Sequence, residues 1–360
     1  MSRGTITALV SELLDEGKIV EGDAVDIPRG RKPKLLRIRT EDRLVVSVDI
    51  RFGHTQLMLS DFSGAPIAVE SFGTLTSPDE LVAELASRIG ASLDAQQHRG
   101  KCEGIGVVVP GMVEQDSGRV LNAPQLGWRE VNIRDALQEA TGHPVFIENA
   151  ARAAALAQLW LGQETERHGG DFVYISIFEG VGAGVAVNGQ VVRGHSHLAG
   201  ELGHVIIDPA GPTCMCGSCG CLEAHTSNLA TLARYLGMEM GSEEVASRLA
   251  GTELTIADLI ERAREGDERA HAALEETGHF LGYGVSLTVH ALNPARIYIA
   301  GDIAAAWDII EPPLRAVLQA RALTPAAAAT PVVPDREPYP RLRGAMALVL
   351  ARDLAAPQIA

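Results

Sequence analysis

Hydrophobic residues at the start of the chain recur with the spacing of an amphipathic helix. Residue Ser2 is suited to cap the N-terminus of this helix, and Gly17 to end it. The next segment, up to Ile38, has two short apolar stretches that flank a turn rich in arginine and lysine. The pattern therefore predicts a helix followed by a β-hairpin. The apolar positions of the helix are Ile6, Leu9, Val10, Leu13 and Leu14.

A helix followed by a basic hairpin is typical of the second half of a winged helix-turn-helix. In that motif the helix enters the major groove of DNA and the hairpin touches the adjacent backbone or minor groove. A solvated basic loop on an N-terminal helix is the alternative. The candidate DNA contacts are Arg3, Thr5, Thr7, Arg29, Arg31 and Lys32.

One part of this motif is missing from the sequence. A helix-turn-helix has at least one helix before its recognition helix, whereas this chain begins at the recognition helix itself. We therefore expect either that Met1 is an internal residue of a longer protein or that the sequence is truncated. A helix and a hairpin alone would also have little core to hold them.

From Leu44 onward the pattern changes to strands, and it does so in two copies. The first copy begins LVVSVDI and turns at Ser63-Gly64, and the second begins FVYISIF at Phe172 and turns at Asn188-Gly189. Helix and strand patterns follow each copy, which predicts a duplicated α/β fold of two lobes. The terminal helix is expected to pack back on the first lobe. The predicted domains are a partial winged helix-turn-helix at 1–43, an N-terminal lobe at 44–150 and a C-terminal lobe at 151–360.

Composition narrows the class of protein. The 360 residues carry a net charge of −15, which argues against a general binder of polyanions, so any DNA contact must come from a local basic patch. No signal segment opens the chain, and no apolar run reaches the roughly 18 residues that a membrane span needs. We expect a cytoplasmic protein without a membrane partner.

Four of the five cysteines lie close together, and His204 precedes them by ten positions. Sulfur and imidazole ligands at such spacing predict a tetrahedral zinc site. A disulfide between near neighbours in so tight a loop would be strained, and unligated thiols are the other alternative. Four or more ligands leave no open position for water, so the predicted zinc is structural. The four cysteines are Cys214, Cys216, Cys219 and Cys221.

Several motifs identify a family. From Leu44 onward the chain resembles the ROK family of repressors, uncharacterised reading frames and sugar kinases, and its N-terminal part resembles the truncated winged helix of the family's repressors. The resemblance implies an actin-like, ribonuclease H-like two-lobed fold. The motifs are ELGH at 201–204, the CxCGxxGCLE pattern at 214–223, Pro110-Gly111, NAPxLGW at 122–128, Glu148-Asn149 and Asn293-Pro294.

The resemblance also implies a metal site and a sugar site. The implied zinc ligands are His204, Cys214, Cys216 and Cys221, and Cys219 could replace His204 in a site made only of thiolates. The polar side chains that the resemblance assigns to the sugar site suit a ring of sugar hydroxyls. If His204 serves both sites, it must use one ring nitrogen for each. The implied sugar contacts are Gly111, Asn149, Glu201, His204 and Glu223.

Two of these sugar contacts have simpler explanations. Asn149 could cap the helix that follows it. Glu223 could merely occupy the start of a helix, near its positive end.

The chain departs from the kinases of the family where they carry out chemistry. The family's general base is an aspartate at the position of Ala150, and a methyl group cannot accept a proton. In the phosphate-binding turns, Glu179 replaces a threonine, and a carboxylate beside a triphosphate repels it. We therefore expect no ATP binding and no enzyme activity. Further departures are Arg51, Phe52, Gly53, Asn228, Asp302 and Ile303.

These observations predict a sugar-responsive DNA-binding transcriptional regulator, acting as a repressor of carbohydrate metabolism genes. Its expected partners are operator DNA and a small sugar or sugar phosphate, and a homodimer or a dimer of dimers is expected because two-fold symmetry matches two half-sites. One alternative is an ATP-dependent sugar kinase, similar to glucokinases, that has kept or moved its base. The other is a sugar-binding protein without a role on DNA.

Overall fold

The computed structural model describes residues 3–24, 34–162, 170–238, 240 and 254–354. The helices of these residues are α1 (Arg3–Asp15), α2 (Pro78–Ala95), α3 (Ile133–Thr141), α4 (Ala150–Leu161), α5 (Leu222–Thr226), α6 (Asn228–Leu236), α7 (Ile256–Arg264), α8 (Glu268–Leu292), α9 (Trp307–Arg321), α10 (Pro325–Ala328) and α11 (Pro340–Leu354). The strands are β1 (Ile19–Ala24), β2 (Lys34–Ile38), β3 (Arg43–Ile50), β4 (His54–Asp61), β5 (Pro66–Gly73), β6 (Lys101–Val109), β7 (Met112–Glu114), β8 (Arg119–Ala123), β9 (Trp128–Val131), β10 (Val145–Asn149), β11 (Phe172–Ile177), β12 (Val181–Val187), β13 (Gln190–Val191), β14 (Arg296–Gly301) and β15 (Val332–Pro334).

The N-terminal helix and hairpin form as predicted from the sequence. Helix α1 ends at Asp15, and Gly17 just beyond it has a φ of +68°. The amides of Gly17 and Lys18 donate to the carbonyls of Leu14 and Leu13, respectively. These two bonds are the Schellman arrangement that glycine favours. Strands β1 and β2 then pair antiparallel.

The candidate DNA contacts are only partly covered by the structure. Thr5 and Thr7 are exposed on α1. The predicted cap Ser2, the side chain of Arg3 and the hairpin-turn residues Arg29, Arg31 and Lys32 lie outside the described residues.

The first large sheet has the strand order β10-β6-β3-β4-β5. Strand β3 at its centre pairs parallel with β6 and antiparallel with β4. Its alternate residues Val46 and Val48 belong to the core under α2 and α3, whereas Val45 packs with α11 on the opposite face. This alternation is the two-residue period of a strand that is buried on both faces.

The second large sheet repeats the first. Its order is β15-β14-β11-β12-β13, with β11 parallel to β14 and antiparallel to β12. Order and strand directions therefore match those of the first sheet, which confirms the predicted duplicated α/β fold. The second core lies between this sheet and helices α7, α8 and α9.

Helices α4 and α11 pack against each other and against the sheets. Ala154 and Ala155 of α4 contact the second sheet at Tyr174. Met346 of α11, from the far end of the chain, packs with Val45 of the first sheet. The first sheet thus takes part of its core from the last helix.

Some elements differ from the sequence prediction. Helix α3, the small sheet of β7, β8 and β9 and helix α10 were not predicted. The three strands and α10 are too short to show much periodicity, whereas α3 does have helical spacing, with Ile133 and Leu137 buried on one face. Helix α9 begins at Trp307, after a 3₁₀ turn at Asp302–Ala306. Helix α10 is an alanine run capped by Thr324 with Pro325 at its first position. None of the helices in the described ranges is long and apolar enough to cross a lipid bilayer.

Candidate metal centre and adjoining pocket

A folded-back loop carries the four clustered cysteines. Ile206 pairs with Cys221, and Thr213 with Cys219, as isolated antiparallel bridges. Gly220 has a φ of +70°, and a Cβ at this position would lie 1.5 Å from the carbonyl oxygen of Asp208. Only glycine fits this turn, which returns the chain towards His204.

The loop and the short helix before it gather one histidine and three cysteines. Ligand atoms of His204, Cys214, Cys216 and Cys221 all lie within 4.8 Å of one another. His204 Nδ1 is 3.7 Å from Cys214 Sγ, and Cys216 Sγ is 3.7 Å from Cys221 Sγ. One imidazole nitrogen and three sulfurs fit a four-coordinate metal ion with a preference for soft ligands, such as zinc.

The fourth cysteine of the loop faces elsewhere. Cys219 is exposed, and its Sγ lies 3.9 Å from the Thr213 hydroxyl. Of the two ligand sets considered from the sequence, the described residues bring together the one that contains His204. Burial raises the pKa of the Cys214 and Cys221 thiols, so a bound cation is the group that would favour their thiolate forms.

A cavity of about 610 Å³ adjoins the cysteine cluster. All five residues that the family resemblance assigned to sugar line it, together with Ala150 at the start of α4. Arg129 and Met215 also line the cavity, but the sequence did not identify them as site residues. Arg129 directly follows the NAPxLGW motif, and Met215 lies between two of the clustered cysteines. The five assigned residues are Gly111, Asn149, Glu201, His204 and Glu223.

Hydrogen bonds fix two of these side chains. Asn149 Oδ1 accepts from the amides of Ala151 and Arg152, and its Nδ2 donates to the carbonyl oxygen of Gly111 at 2.8 Å. The capping role considered from the sequence is therefore present. Glu223 Oε2 accepts from the amide of Val181 at 2.9 Å, which fixes this carboxylate in the cavity wall.

His204 and Glu201 face each other at the boundary between cavity and cluster. While Nδ1 of His204 is directed at Cys214, its Nε2 lies 4.0 Å from Glu201 Oε2. Burial raises the pKa of Glu201, partly offset by the nearby His204 and Arg152. The two ring nitrogens of His204 thus face two different sets of groups.

Charged side chains occupy the β3–β4 and β11–β12 turns, which the family resemblance matches to phosphate-binding turns. Asp49 is fully buried and accepts from Arg51 Nε at 2.7 Å and from Arg341 Nε at 2.8 Å. Both guanidinium groups lie over the ring of Phe178, at 4.6 and 5.5 Å from its centroid. This network joins the β3–β4 turn to the β11–β12 turn.

A second cavity, of about 1220 Å³, opens beyond this network. Apolar side chains such as Leu232 and Ile260 line part of it, and the carboxylates of Glu179 and Asp302 line its polar end. Burial and the neighbouring Glu179 raise the pKa of Asp302. Asp302 also accepts a hydrogen bond of 2.7 Å from Asn228 Nδ2.

The repeated sheets, the cleft between them and the cluster beside it define a two-lobed protein with the actin-like fold that sugar kinases also have. The ROK family matches residues 45–352 of the chain. The chain therefore belongs to the ROK family.

Relatives with known names include regulators and a kinase. The xylose repressor of Caldicellulosiruptor bescii is 31% identical over 89% of this chain and 81% of its own. A glucokinase of Halalkalibacterium halodurans is 32% identical over 78% of this chain and 87% of its own. A crystal structure of a ROK family transcriptional regulator, a homologue of the Escherichia coli MLC protein, has a TM-score of 0.80 and 27% identity. It covers 98% of this chain and 89% of its own.

Proposed function

We propose that this protein is a sugar-responsive, DNA-binding transcriptional repressor of carbohydrate metabolism genes. One observation carries this proposal: the similarity to a ROK transcriptional regulator extends over 98% of the chain and so includes α1 and the hairpin. In the same kind of structural comparison, a ROK family glucokinase from Streptomyces griseus covers only 86% of the chain. The part of the chain outside the kinase-like region is residues 1–43, and this helix and hairpin are the part that a DNA-binding regulator would use.

The proposed protein has three parts. Residues 1–43 bind operator DNA, with Arg3, Thr5, Thr7, Arg29, Arg31 and Lys32 as contacts. Residues 44–150 and 151–360 form the two lobes, with helix α11 returning to the first. As is usual for readers of two-fold symmetric operators, the protein acts as a homodimer or a dimer of dimers.

The cavity beside the cysteine cluster is the proposed effector site. Carboxylates of Glu201 and Glu223 and the free face of His204 offer acceptors and donors to sugar hydroxyls. Gly111 and Asn149, which are bonded to each other, also line this cavity. A sugar or a sugar phosphate bound here changes the lobe arrangement and thereby the affinity for DNA.

Zinc is the proposed metal, held by His204, Cys214, Cys216 and Cys221. Its role is structural, because all four positions of a tetrahedral ion are then taken by protein atoms. The ion would fix the ring of His204, and through it the side of the cavity that Glu201 lines.

The proposal excludes kinase activity. Ala150 provides no base, and Arg51 and Arg341 are already bonded to Asp49 where phosphates would need cations. Glu179 and Asp302 add negative charge at the polar end of the larger cavity, which opposes a nucleoside triphosphate.

DNA binding by the full-length protein tests this function. We expect it to bind DNA from upstream of its own gene at moderate salt, and a sugar among D-xylose, D-glucose and N-acetyl-D-glucosamine, or their phosphates, to change that affinity by about 5- to 150-fold. Electrophoretic mobility shift and calorimetry measure both quantities. Absence of DNA binding would contradict the proposal.

The same protein separates the alternatives. A coupled assay for ADP release with the same sugars should show no turnover. Turnover that is lost in Asp49→Asn would establish the kinase alternative instead. Sugar binding without any DNA binding would favour a simple sugar-binding protein.

A further inference from the structure

A buried ion pair lies behind the effector cavity without lining it. Glu148, the penultimate residue of β10, is 1% exposed, and Arg152 in the first turn of α4 is also 1% exposed. Arg152 Nε donates to Glu148 Oε1 at 2.9 Å, and Arg193 Nε donates to Glu148 Oε2 at 3.1 Å. We refer to Glu148, Arg152 and Arg193 as the arginine clasp.

The remaining donors of Arg152 reach two further segments. Its Nη1 donates to the carbonyl oxygen of His197 at 2.8 Å, and its Nη2 to that of Val113 at 3.3 Å. His197 has a φ of +58°, a conformation that side chains other than glycine rarely adopt. The bond from Arg152 helps to hold this loop in place.

Each segment that the clasp joins also carries part of the effector cavity. Strand β10 ends at Asn149, β7 follows Gly111, and the loop that contains Arg193 and His197 leads into Glu201. These segments are far apart in sequence and come from both lobes. The clasp is the polar contact that connects all three.

We propose that the arginine clasp positions the effector site, so that sugar affinity depends on residues that do not touch the sugar. This inference rests on the proposed sugar binding, and it adds Arg152 and Arg193 as positioning residues. A buried ion pair adds little net stability compared with apolar packing, because desolvation of two charges offsets their attraction. The planar guanidinium of Arg152, with its five donors, instead fixes the relative placement of the groups to which it is bonded.

Two conservative variants test the clasp without leaving Glu148 as an unpaired buried charge. In Arg193→Gln, Glu148 keeps its bond to Arg152, and the lost side chain is 34% exposed, so the fold should be retained. In Arg152→Lys the charge remains but the bonds to the carbonyls are lost. We expect each variant to weaken sugar binding by about tenfold. Arg193→Lys, which keeps the positive charge, should bind sugar more tightly than Arg193→Gln does.

Arg315 provides a matched control. It bonds Glu311 four residues before it and donates to the carbonyls of Thr330 and Val332, which is the same pattern on α9, away from the cavity. Arg315→Lys should lower the melting temperature without changing sugar affinity, as expected of a purely structural arginine.

Calorimetry with D-xylose, D-glucose and N-acetyl-D-glucosamine, beside thermal unfolding of each variant, gives the two readouts. Folded Arg193→Gln and Arg152→Lys proteins that bind sugar within twofold of the wild type would overturn the clasp and leave the proposed function intact. A wild type that binds none of the sugars or their phosphates would contradict the proposed function, and the inference with it.

Discussion

His225 is a buried histidine that does not line the proposed effector site. It lies on α5, is 4% exposed and stacks on Phe280 with ring centroids 3.9 Å apart. Among the described residues its Nε2 has no hydrogen-bond partner. Burial lowers the pKa of His225, and the nearby positive charge of Arg234 lowers it further. The folded protein therefore favours the neutral ring.

This lowered pKa gives a pH dependence of stability with a definite sign. Since the unfolded ring takes up a proton near its ordinary pKa of about 6.5, the stabilising contribution is complete above that pH and is lost as the pH falls below it. We expect His225→Leu to lose less free energy of unfolding than the wild type between about pH 7.5 and 5.5, by at most about 1.4 kcal/mol per pH unit. Urea unfolding at both pH values measures this, and equal losses would refute it.

Single residues differ in how far the sequence can predict them. The ligand set around His204 was predictable from the family resemblance, whereas spacing alone also allowed a set made only of the four cysteines. The contacts of Arg152 were only partly predictable. Its partner Glu148 lies four residues before it, but its other partners are the carbonyl groups of His197 and Val113, about 40 residues away on either side, and a carbonyl has no sequence signature.

Close contact between α11 and β6 depends on a missing side chain. A Cβ on Gly106, in the middle of β6, would lie 1.8 Å from the carbonyl oxygen of Ala345. The helix could not keep its distance from the sheet with any larger residue. Long buried strands such as β6 were predictable from their apolar runs. The close approach of α11 to β6 was not, because neither the sequence around β6 nor that of α11 indicates which element the other packs against.

Replacing Gly106 tests this packing. We expect Gly106→Ala to cost about 1–3 kcal/mol of unfolding free energy, as overpacking of a well-filled core does. Gly90→Ala on α2 is the control, because no atom lies within 4 Å of the added Cβ, and it should stabilise the protein by about 0.5–1 kcal/mol. Chemical denaturation measures both, and a neutral Gly106→Ala would mean that α11 can shift without cost.

At the scale of the whole molecule, the cysteine cluster connects the fold with the proposed effector site. The loop of Cys214 contacts Glu223, whose Oε1 lies 3.5 Å from Cys214 Sγ, and His204 belongs to both cluster and cavity. The family resemblance already implied that the two sites share His204, and in the structure they meet where the 3₁₀ turn at Leu202–His204, the cysteine loop and α5 come together.

Removal of the proposed zinc should therefore affect both properties. We expect Cys216→Ser to lose the metal, to lower the melting temperature by at least about 5 °C and to abolish sugar binding. Cys219→Ser should keep all three properties at wild-type values. Elemental analysis, thermal unfolding and calorimetry provide the measurements. Unchanged sugar affinity in metal-free protein would mean that the cluster stabilises the fold but does not shape the sugar site.

The return of α11 to the first sheet also has a consequence for synthesis on the ribosome. Strand β3 emerges early, but Met346 and its neighbours, which cover one face of that strand, are translated almost 300 residues later. At about 5–20 residues per second, this delay is on the order of 15–60 s. The half of the molecule that is made first is thus the last to complete its core, and until then it presents an uncovered apolar surface to chaperones.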